Sequence, residues 1–558
     1  MNLLFGKKWF SWPRLACLLI TLVLLFWIFR RIDFSTLLAT FRRLNPLWFV
    51  LAFATYGVAM VAGGLRWHLA LRVTDTAMHL GASCRLFLMG HFFFVALFGA
   101  AGGDAAKSAV YSRWYGFDLA RVIAAAPLDR ALGLGGPLLL MGVLVGLAAA
   151  TGGFEPLRHA TIQWPGTWVL VTCILAAVIL IAVILWKPAG DSVWARTARA
   201  FRRGGARLAL TPGIAVPGLL YAFAAQLALS TVLAFNVQSV THQPLEWAQV
   251  AWTFPVITLF SCLPFTVAGA GVREIAAIAF LAPYGVTEGE CVAASMLTLF
   301  HKIAWAGNGA VVLWLEQARR LRHEHRPPQE ISVVIPALNE ASSLPETIRR
   351  LKAIPEIREI IVASADSSDH TSEIARELGC AVVPSIRGRG VQMRAGAEAA
   401  RSDVILFVHA DTWLPRDAGH AALNCLRDPV VVAGGYWKVF RERPLLLLGS
   451  RWKCAARLFV GRRIAGDQCL FVRREALEKA GGVPAIDLME DFELCRRLRR
   501  HGRLALAEAV VVTSARRFRD VGVLKTYWRM WWVTMLWRLG VPPARLRAIY
   551  DKGTAEAG

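Results

Sequence analysis

The sequence has no C-x-x-C pair. Its ten cysteines are scattered over 558 residues, so spacing supports neither a disulfide framework nor a zinc site. Acidic residues are few: 39 Asp and Glu stand against 63 Lys and Arg, a formal net charge of +24. A basic chain raises the question of nucleic acid, yet no nucleic-acid-binding motif is present. The arginines crowd beside apolar runs and within the C-terminal half. Anionic lipid headgroups and phosphate-bearing substrates account better for the balance. A convincing secretory cleavage site is lacking too. The first apolar run, Leu15 to Phe29, is therefore expected to stay as a membrane anchor.

What abounds is apolar sequence, 56% of the chain, and it is unevenly spread. Apolar runs lie near 15–29, 46–63, 86–101, 131–150, 166–186, 213–236, 248–268, 274–284 and 291–315. Several approach the ~20 residues that cross ~30 Å of hydrocarbon. Residues 329–558 instead read as soluble sequence with mixed charge. The expected organisation is a polytopic helical membrane domain over 1–316, a charged linker over 317–329, a globular domain over 330–523, and an amphipathic helix with a tail over 524–558.

Arginine and lysine set the expected orientation. Lys187, Arg196, Arg199, Arg202, Arg203 and Arg207 place the loop after 186 in the cytoplasm, and Arg319, Arg320 and Arg322 place the last span's end there. The loop near 152–165, with only Arg158, falls outside. Parity then requires 86–101 to return to the inner side and 248–284 to return to the outer side. The cluster Arg30, Arg31, Arg42 and Arg43 lies on the outer side and opposes this topology. Both returning segments are broken by glycine, in LFGAAGGDAAK (97–107) and LPFTVAGAGVRE (263–274). Broken helices in matching places of two inverted halves point to a substrate site near mid-membrane. Asp104 and Lys107 mark one break and Arg273 and Glu274 the other, while Asp129 and Arg130 open a further span. Charge at such depth is costly and usually functional.

GGDAAKSAVYSR, LDRALGL and LPFTVAGAGVRE resemble the flippase-like membrane domain family, which includes the membrane part of lysylphosphatidylglycerol synthases. The resemblance covers about 10–316. It implies handling of a lipid and leaves the lipid open.

Beyond RRLRHEHRPPQE, strands and helices alternate. ISVVIPALNE, EIIVASADSSDHT, CAVVPS and DVILFVHADT read as four strands, with helices from Leu344, in SEIARELG and in GRGVQMRAGAEAARS. Such alternation argues for a parallel α/β sheet with ligands beyond the strands' carboxyl ends. Asn339, Asp366, Asp369, His409 and Asp411 all fall at those ends.

That order resembles glycosyltransferase family 2, of the GT-A fold, over about 330–550. It is most similar to a subgroup, some of whose members are named for arsenosugar biosynthesis, with GRxxQM, HAD, GDQ and LMED motifs. Here these stand as Gly388-Arg389 with Gln392-Met393, His409-Ala410-Asp411, Gly466-Asp467-Gln468, and Leu488-Met489-Glu490-Asp491. The resemblance implies transfer of a sugar from a nucleotide-diphosphate sugar to an acceptor hydroxyl, expected to be a lipid's or glycolipid's, by a single inverting displacement. Pro336, Asn339, Glu340, Asp366, Asp369, Arg389, Gln392, Asp411, Arg516 and Arg517 would bind the nucleotide-sugar. Gly466, Asp467 and Gln468 would face donor sugar and acceptor, and Asp491 would be the base beside Glu490. A divalent Mg2+ or Mn2+ would offset the leaving group's charge. Asp411 is its natural ligand, and His409 either joins it or hydrogen-bonds nearby. The helix dipole is expected to keep Asp491 ionised.

Two positions depart from the family. Ser364 stands where an aspartate usually binds the nucleotide base, and Arg394 stands where the subgroup has asparagine. LKTYWRMWWVTMLWRLG (524–540) is too short and charged to span, and its tryptophans suit a helix lying in the membrane interface. The expected whole is a multi-pass inner-membrane enzyme with a cytoplasmic catalytic domain. Its rivals are a lipid transporter with a regulatory sugar-nucleotide domain and an anchored enzyme acting on a small soluble acceptor.

Overall fold

A computed structural model describes residues 34–96, 100–151, 191–241, 245–261, 271–321, 328–441, 449–459, 461–486 and 488–555. The chain divides into two compact units, Met1–Ala318 and Arg319–Gly558. The expected anchor 15–29, the loop 152–165, the span 166–186, and residues 97–99 and 263–270 of the two glycine-rich breaks lie outside the described residues.

The first unit is helical. It runs through α1 (Phe34–Arg42), α2 (Pro46–Val73), α3 (Leu80–Ala96), α4 (Ala100–Tyr115), α5 (Leu119–Thr151), α6 (Val193–Leu210), α7 (Pro212–Val240), α8 (Trp247–Ala251), α9 (Thr253–Ser261), α10 (Val272–Leu281) and α11 (Glu288–Leu321). Among the described residues three stretches are long and apolar enough to cross a membrane: Pro46–Val73, Leu119–Leu144 and Pro212–Val240. Their outer faces carry exposed Val50, Val61, Leu138 and Leu220, apolar surface that hydrocarbon would cover. Asn45 caps α2 by accepting from the Leu47 N–H at 3.0 Å, with Pro46 at the first helical position.

α3 and α4 fold back on each other. A Cβ at Gly103 would lie 2.8 Å from the Phe94 backbone, and one at Gly90 would lie 2.5 Å from Lys107 Cδ. Pairing 103 with 94 and 107 with 90 is the register of an antiparallel hairpin, the shape the parity argument requires of 86–101. Asp129 and Arg130 sit inside α5 rather than opening it.

The second unit is a three-layer α/β domain. Its strands are β1 (Ile331–Ala337), β2 (Ile357–Ala365), β3 (Ala381–Ser385), β4 (Val404–Phe407), β5 (Val431–Phe440), β6 (Phe471–Arg473) and β7 (Arg503–Thr513), in the order β3-β2-β1-β4-β6-β5-β7. β6 runs antiparallel to β4 and β5; the remaining pairs are parallel. β1 and β4 are buried nearly throughout, as the continuous apolar runs Val333–Ile335 and Val404–Phe407 require of strands covered on both faces. The helices are α12 (Leu344–Lys352), α13 (Thr371–Glu377), α14 (Arg389–Ala399), α15 (Ala418–Leu426), α16 (Ser450–Phe459), α17 (Arg474–Lys479), α18 (Glu490–Leu498), α19 (Arg516–Val521), α20 (Val523–Arg538) and α21 (Pro543–Ala555). β1 pairs with β2 on one side and β4 on the other. The chain order reverses there, and a crevice opens beyond the strand ends at such a switch point.

Candidate active site

Four chain segments meet beyond the ends of β1 and β4: the residues after β1, the His409–Asp411 exit from β4, the one-turn 3-10 helix Gly466–Gln468, and the start of α18. Three of the four carry strained backbone in or next to them. Asn339, Cys469 and Met489 are non-glycine residues with φ of 54°, 50° and 67°, and such conformations concentrate where surrounding structure must aim a side chain.

Asp491 is buried at the first turn of α18. Its Oδ2 accepts from the Gly466 N–H at 2.7 Å and its Oδ1 from the Phe492 N–H at 2.8 Å. Arg389, leading α14, places Nη1 3.1 Å from Glu490 Oε1. Burial and the neighbouring Glu490 carboxylate push the Asp491 carboxyl up to about 6, and Arg389 and the two N–H donors only partly offset them. Asp491 therefore stays ionised at neutral pH, as expected, but with a raised carboxyl that the helix dipole does not offset. At the first turn of a nine-residue helix, desolvation and a like charge outweigh the dipole.

Gly466 is where these groups converge. A Cβ there would lie 1.7 Å from Arg389 Nη2 and 3.1 Å from His409 Nε2. Glycine thus lets the guanidinium and the imidazole lie side by side against the backbone that holds Asp491. Asp467 turns the other way, into an ion pair with buried Lys438, and lies 3.7 Å from Arg457. Burial alone would raise its carboxyl; Lys438 and Arg457 hold it well below the usual carboxylate range. Lys438 and Arg457 were not expected from the sequence. They stand 29 and 10 residues from Asp467, and only the fold brings them together.

On the other side of the crevice, Glu340 faces Asp411 and Arg516. Arg516 Nη2 is 3.8 Å from Glu340 Oε1. Burial and the Asp411 charge raise the Glu340 carboxyl, with Arg516 opposing. Asp411 is half-buried; its carbonyl accepts from Arg441 at 3.1 Å, and the Arg441 guanidinium stacks 3.4 Å over the Trp413 ring. Asp366 is exposed beyond β2, and Arg517 belongs to α19.

Several expected ligands serve the framework instead. Gln392 donates to the carbonyls of Ala337 at 2.7 Å and Ala363 at 3.0 Å, tying α14 across β1 and β2. Gln468 donates to the Tyr436 carbonyl and accepts from the Ala465 N–H. With those amide groups engaged and both side chains buried, a direct role toward nucleotide or sugar is corrected to a positioning one. Asp369 accepts from the Ala341 N–H at 2.9 Å and from Thr371, and Asn339 Oδ1 accepts from the Ser368 N–H at 2.9 Å. Both stitch the β1 and β2 exits together. Pro336 contributes backbone within β1, next to Ala363. Ser364, where an aspartate was expected, accepts from Ser372 at 2.8 Å, while Arg394 donates to the Gly481 carbonyl at 3.1 Å.

In the membrane unit the singled-out charges are paired. Asp104 lies 3.1 Å from Lys107 and 2.5 Å from Arg130, and Asp129 pairs with Arg66 at 2.8 Å. Lys107 also stacks over the Trp67 ring at 3.4 Å. Arg273 pairs with Glu274 at 2.5 Å, and Ser295 of α11 donates to the same carboxylate at 2.8 Å. Among the described residues, no hydrogen bond or ion pair joins the Asp104 set to the Glu274 set.

Comparison with known proteins bears on both units. The glycosyl transferase family 2 pattern matches residues 332–479, and that of the lysylphosphatidylglycerol synthase TM region matches residues 14–305. A 4,4'-diaponeurosporenoate glycosyltransferase of Staphylococcus haemolyticus is 36% identical over 101 residues, 17% of this chain and 27% of that one. An undecaprenyl-phosphate 4-deoxy-4-formamido-L-arabinose transferase of Pseudomonas paraeruginosa is 36% identical over 101 residues, 16% of this chain and 30% of its own. The match therefore spans less than a third of either relative. A mannosyltransferase from Pyrobaculum calidifontis, solved with GDP-Man and Mn2+, is 20% identical, covering 44% of this chain and 77% of its own, with a TM-score of 0.30. With residues 14–305 of its 558 matched, the chain belongs to the family of the lysylphosphatidylglycerol synthase TM region and carries a glycosyl transferase family 2 domain behind it.

Proposed function

We propose that this protein is a membrane glycosyltransferase that moves a sugar from a nucleotide-diphosphate sugar to a hydroxyl of a lipid, with the membrane unit presenting or translocating that lipid. The observation that carries the reading is the Asp491 carboxylate, buried, fixed by the Gly466 N–H and raised to about 6. A carboxylate in that range is ionised at neutral pH and still basic enough to take a proton as a bond forms. In a single inverting displacement, the acceptor hydroxyl attacks the anomeric carbon, its proton passes to Asp491, and the nucleoside diphosphate leaves on the opposite face. Glu490 and Arg389 hold Asp491 in place. Arg516, 56% exposed and at the crevice mouth, is the cation best placed to meet the diphosphate, and Arg517 beside it is a second candidate.

A divalent metal would neutralise the leaving diphosphate. Mg2+ and Mn2+ take hard oxygen ligands and are commonly held by one or two carboxylates plus substrate phosphates. Asp411 fits, and Glu340, whose carboxyl its charge raises, is the second candidate. His409 fits less well, because its Nε2 lies against Gly466 beside the Arg389 guanidinium, where a cation would be repelled; we assign it to the donor-sugar side.

The names of the two relatives, one a 4,4'-diaponeurosporenoate glycosyltransferase and one an undecaprenyl-phosphate 4-deoxy-4-formamido-L-arabinose transferase, support a lipid acceptor. So does α20, which exposes Trp528, Trp531 and Leu524, the surface expected of an interfacial helix rather than of a core helix. The catalytic unit would then face the cytoplasm of a plasma (inner) membrane. Full-length protein, supplied with UDP- and GDP-sugars and extracted membrane lipid, should release nucleotide at least tenfold faster when lipid is present than by hydrolysis alone, and mass spectrometry should find the sugar on that lipid. Equal release with a soluble acceptor alone would overturn the lipid assignment.

A further inference from the structure

A cavity of about 200 Å3 in the membrane unit lies apart from the charge pairs described above and is walled in part by the arginines that set the expected orientation; a single water needs only about 10–15 Å3. Three separate stretches wall it: the exit of α2 with Asp75, the entry to α5 with Asp118 and Arg121, and the length of α6. Along α6, Arg196, Arg199, Arg203 and Arg207 recur every three or four residues. At about 100° per residue they share an arc of about 80°, and at 1.5 Å per residue they span about 16 Å.

The helix is held close to α5 by its small residues. A Cβ at Gly204 would lie 2.7 Å from Leu128 Cδ1, and Ala195 and Ala198 are buried. The arginine face is thereby turned to the cavity. Counting the lining, five arginines stand against two aspartates. Arg207 is 2.6 Å from Asp75, Arg196 is 3.7 Å from Asp118, and Asp191, exposed outside the lining, pairs with Arg199 at 3.0 Å and lies 3.8 Å from Arg196. Among the described residues Arg121 and Arg203 make no ion pair. Orientation by the positive-inside rule needs cations near span ends and nothing more. It does not ask three distant stretches of chain to close around a void with an excess of guanidinium groups.

We propose that this cavity binds a phosphate monoester, that of a lipid headgroup lying at the end of α2. Guanidinium forks match phosphate oxygens in pairs, and a basic pocket between helices at the membrane edge suits an anionic headgroup. This assignment does not depend on sugar transfer.

The test uses the full chain in dodecyl maltoside and titrates short-chain dihexanoyl phosphatidic acid by calorimetry, with dihexanoylglycerol and inorganic phosphate as separate arms. The Arg121→Gln/Arg203→Gln variant should bind the phosphatidic acid at least tenfold more weakly. Asp118→Asn, which removes a competing anion, should bind it more tightly, a gain that misfolding cannot produce. Dihexanoylglycerol should not bind, and inorganic phosphate should compete only at tenfold or higher concentration. Unchanged affinity in both variants, or equal binding of dihexanoylglycerol, overturns the phosphate site. Competition by inorganic phosphate at equal concentration overturns the assignment to a lipid.

Discussion

The backbone N–H of Gly466 donates to the Asp491 carboxylate at 2.7 Å, joining the GDQ turn to the start of α18 across 25 residues of chain. Each partner constrains the other. The turn fixes the carboxylate's direction, and the carboxylate anchors a turn whose following residue, Cys469, has a φ of 50°.

The first consequence is a pH dependence. With Asp491 raised to about 6, kcat/KM should rise about tenfold per pH unit below that value and level off above it. Stability runs the other way. The folded state binds this proton more tightly than the unfolded chain, so Asp491 contributes stability that is full below the ordinary carboxylate value and lost as pH rises through about 6. At pH 7.5 Asp491→Asn should therefore melt at or above the wild-type temperature while losing activity, which differential scanning calorimetry with a rate assay would show.

Gly466→Ala isolates the convergence of side chains. The added methyl meets the far end of Arg389 and His409 Nε2, groups that can swing aside, so the fold should survive with a melting temperature within a few degrees of wild type. The displaced guanidinium leaves Glu490, and the rate should fall by at least tenfold. An unchanged rate would show that Arg389 does not position the base.

Lys438 makes a prediction about stability. Lys438→Met leaves half-buried Asp467 with only the more distant Arg457, and the cost should be about 2 kcal/mol, below that of a fully buried broken pair. Lys438→Met/Asp467→Asn should recover most of it in urea unfolding. Equal losses for single and double variants would mean that the pair contributes little.

The exposed tryptophans of α20 predict a split between two reactions. Replacing Trp528, Trp531 and Trp532 by alanine should lower transfer to lipid in vesicles several-fold and leave slow donor hydrolysis by water unchanged. A parallel fall in both would mark α20 as part of the fold's core rather than a membrane contact.

Much of this was legible in the sequence, for identifiable reasons. β1 to β4 announce themselves because continuous apolar runs end in Pro336, Ser364, Ser385 and His409, and because glycine-bounded helices separate them. β5, β6 and β7 were not read. β6 is three residues long, and β5 is interrupted by Gly434-Gly435, so neither shows a strand period. Asp411, Glu490 and Asp491 could be placed from their motifs. The roles of Gln392 and Gln468 could not, since whether an amide faces a ligand or a carbonyl is decided by packing. The same holds for Lys438, which has no local signal, and for the raised carboxyl of Asp491, where burial overrode the helix terminus. In the membrane unit the charges at 104, 129 and 273 stood out because charge in apolar sequence is rare, but their partners Arg66 and Ser295 are visible only in the fold.

The most direct measurement is sugar transfer by Asp491→Asn in the full-length protein, with radiolabelled donor and extracted membrane lipid. A positioned base contributes about 10²–10⁴-fold, so the variant should lose at least a hundredfold in kcat while binding the nucleotide-sugar with unchanged affinity. Transfer within a few-fold of wild type would contradict the assignment of Asp491 as the base and, with it, the reading of this crevice as a sugar-transfer site.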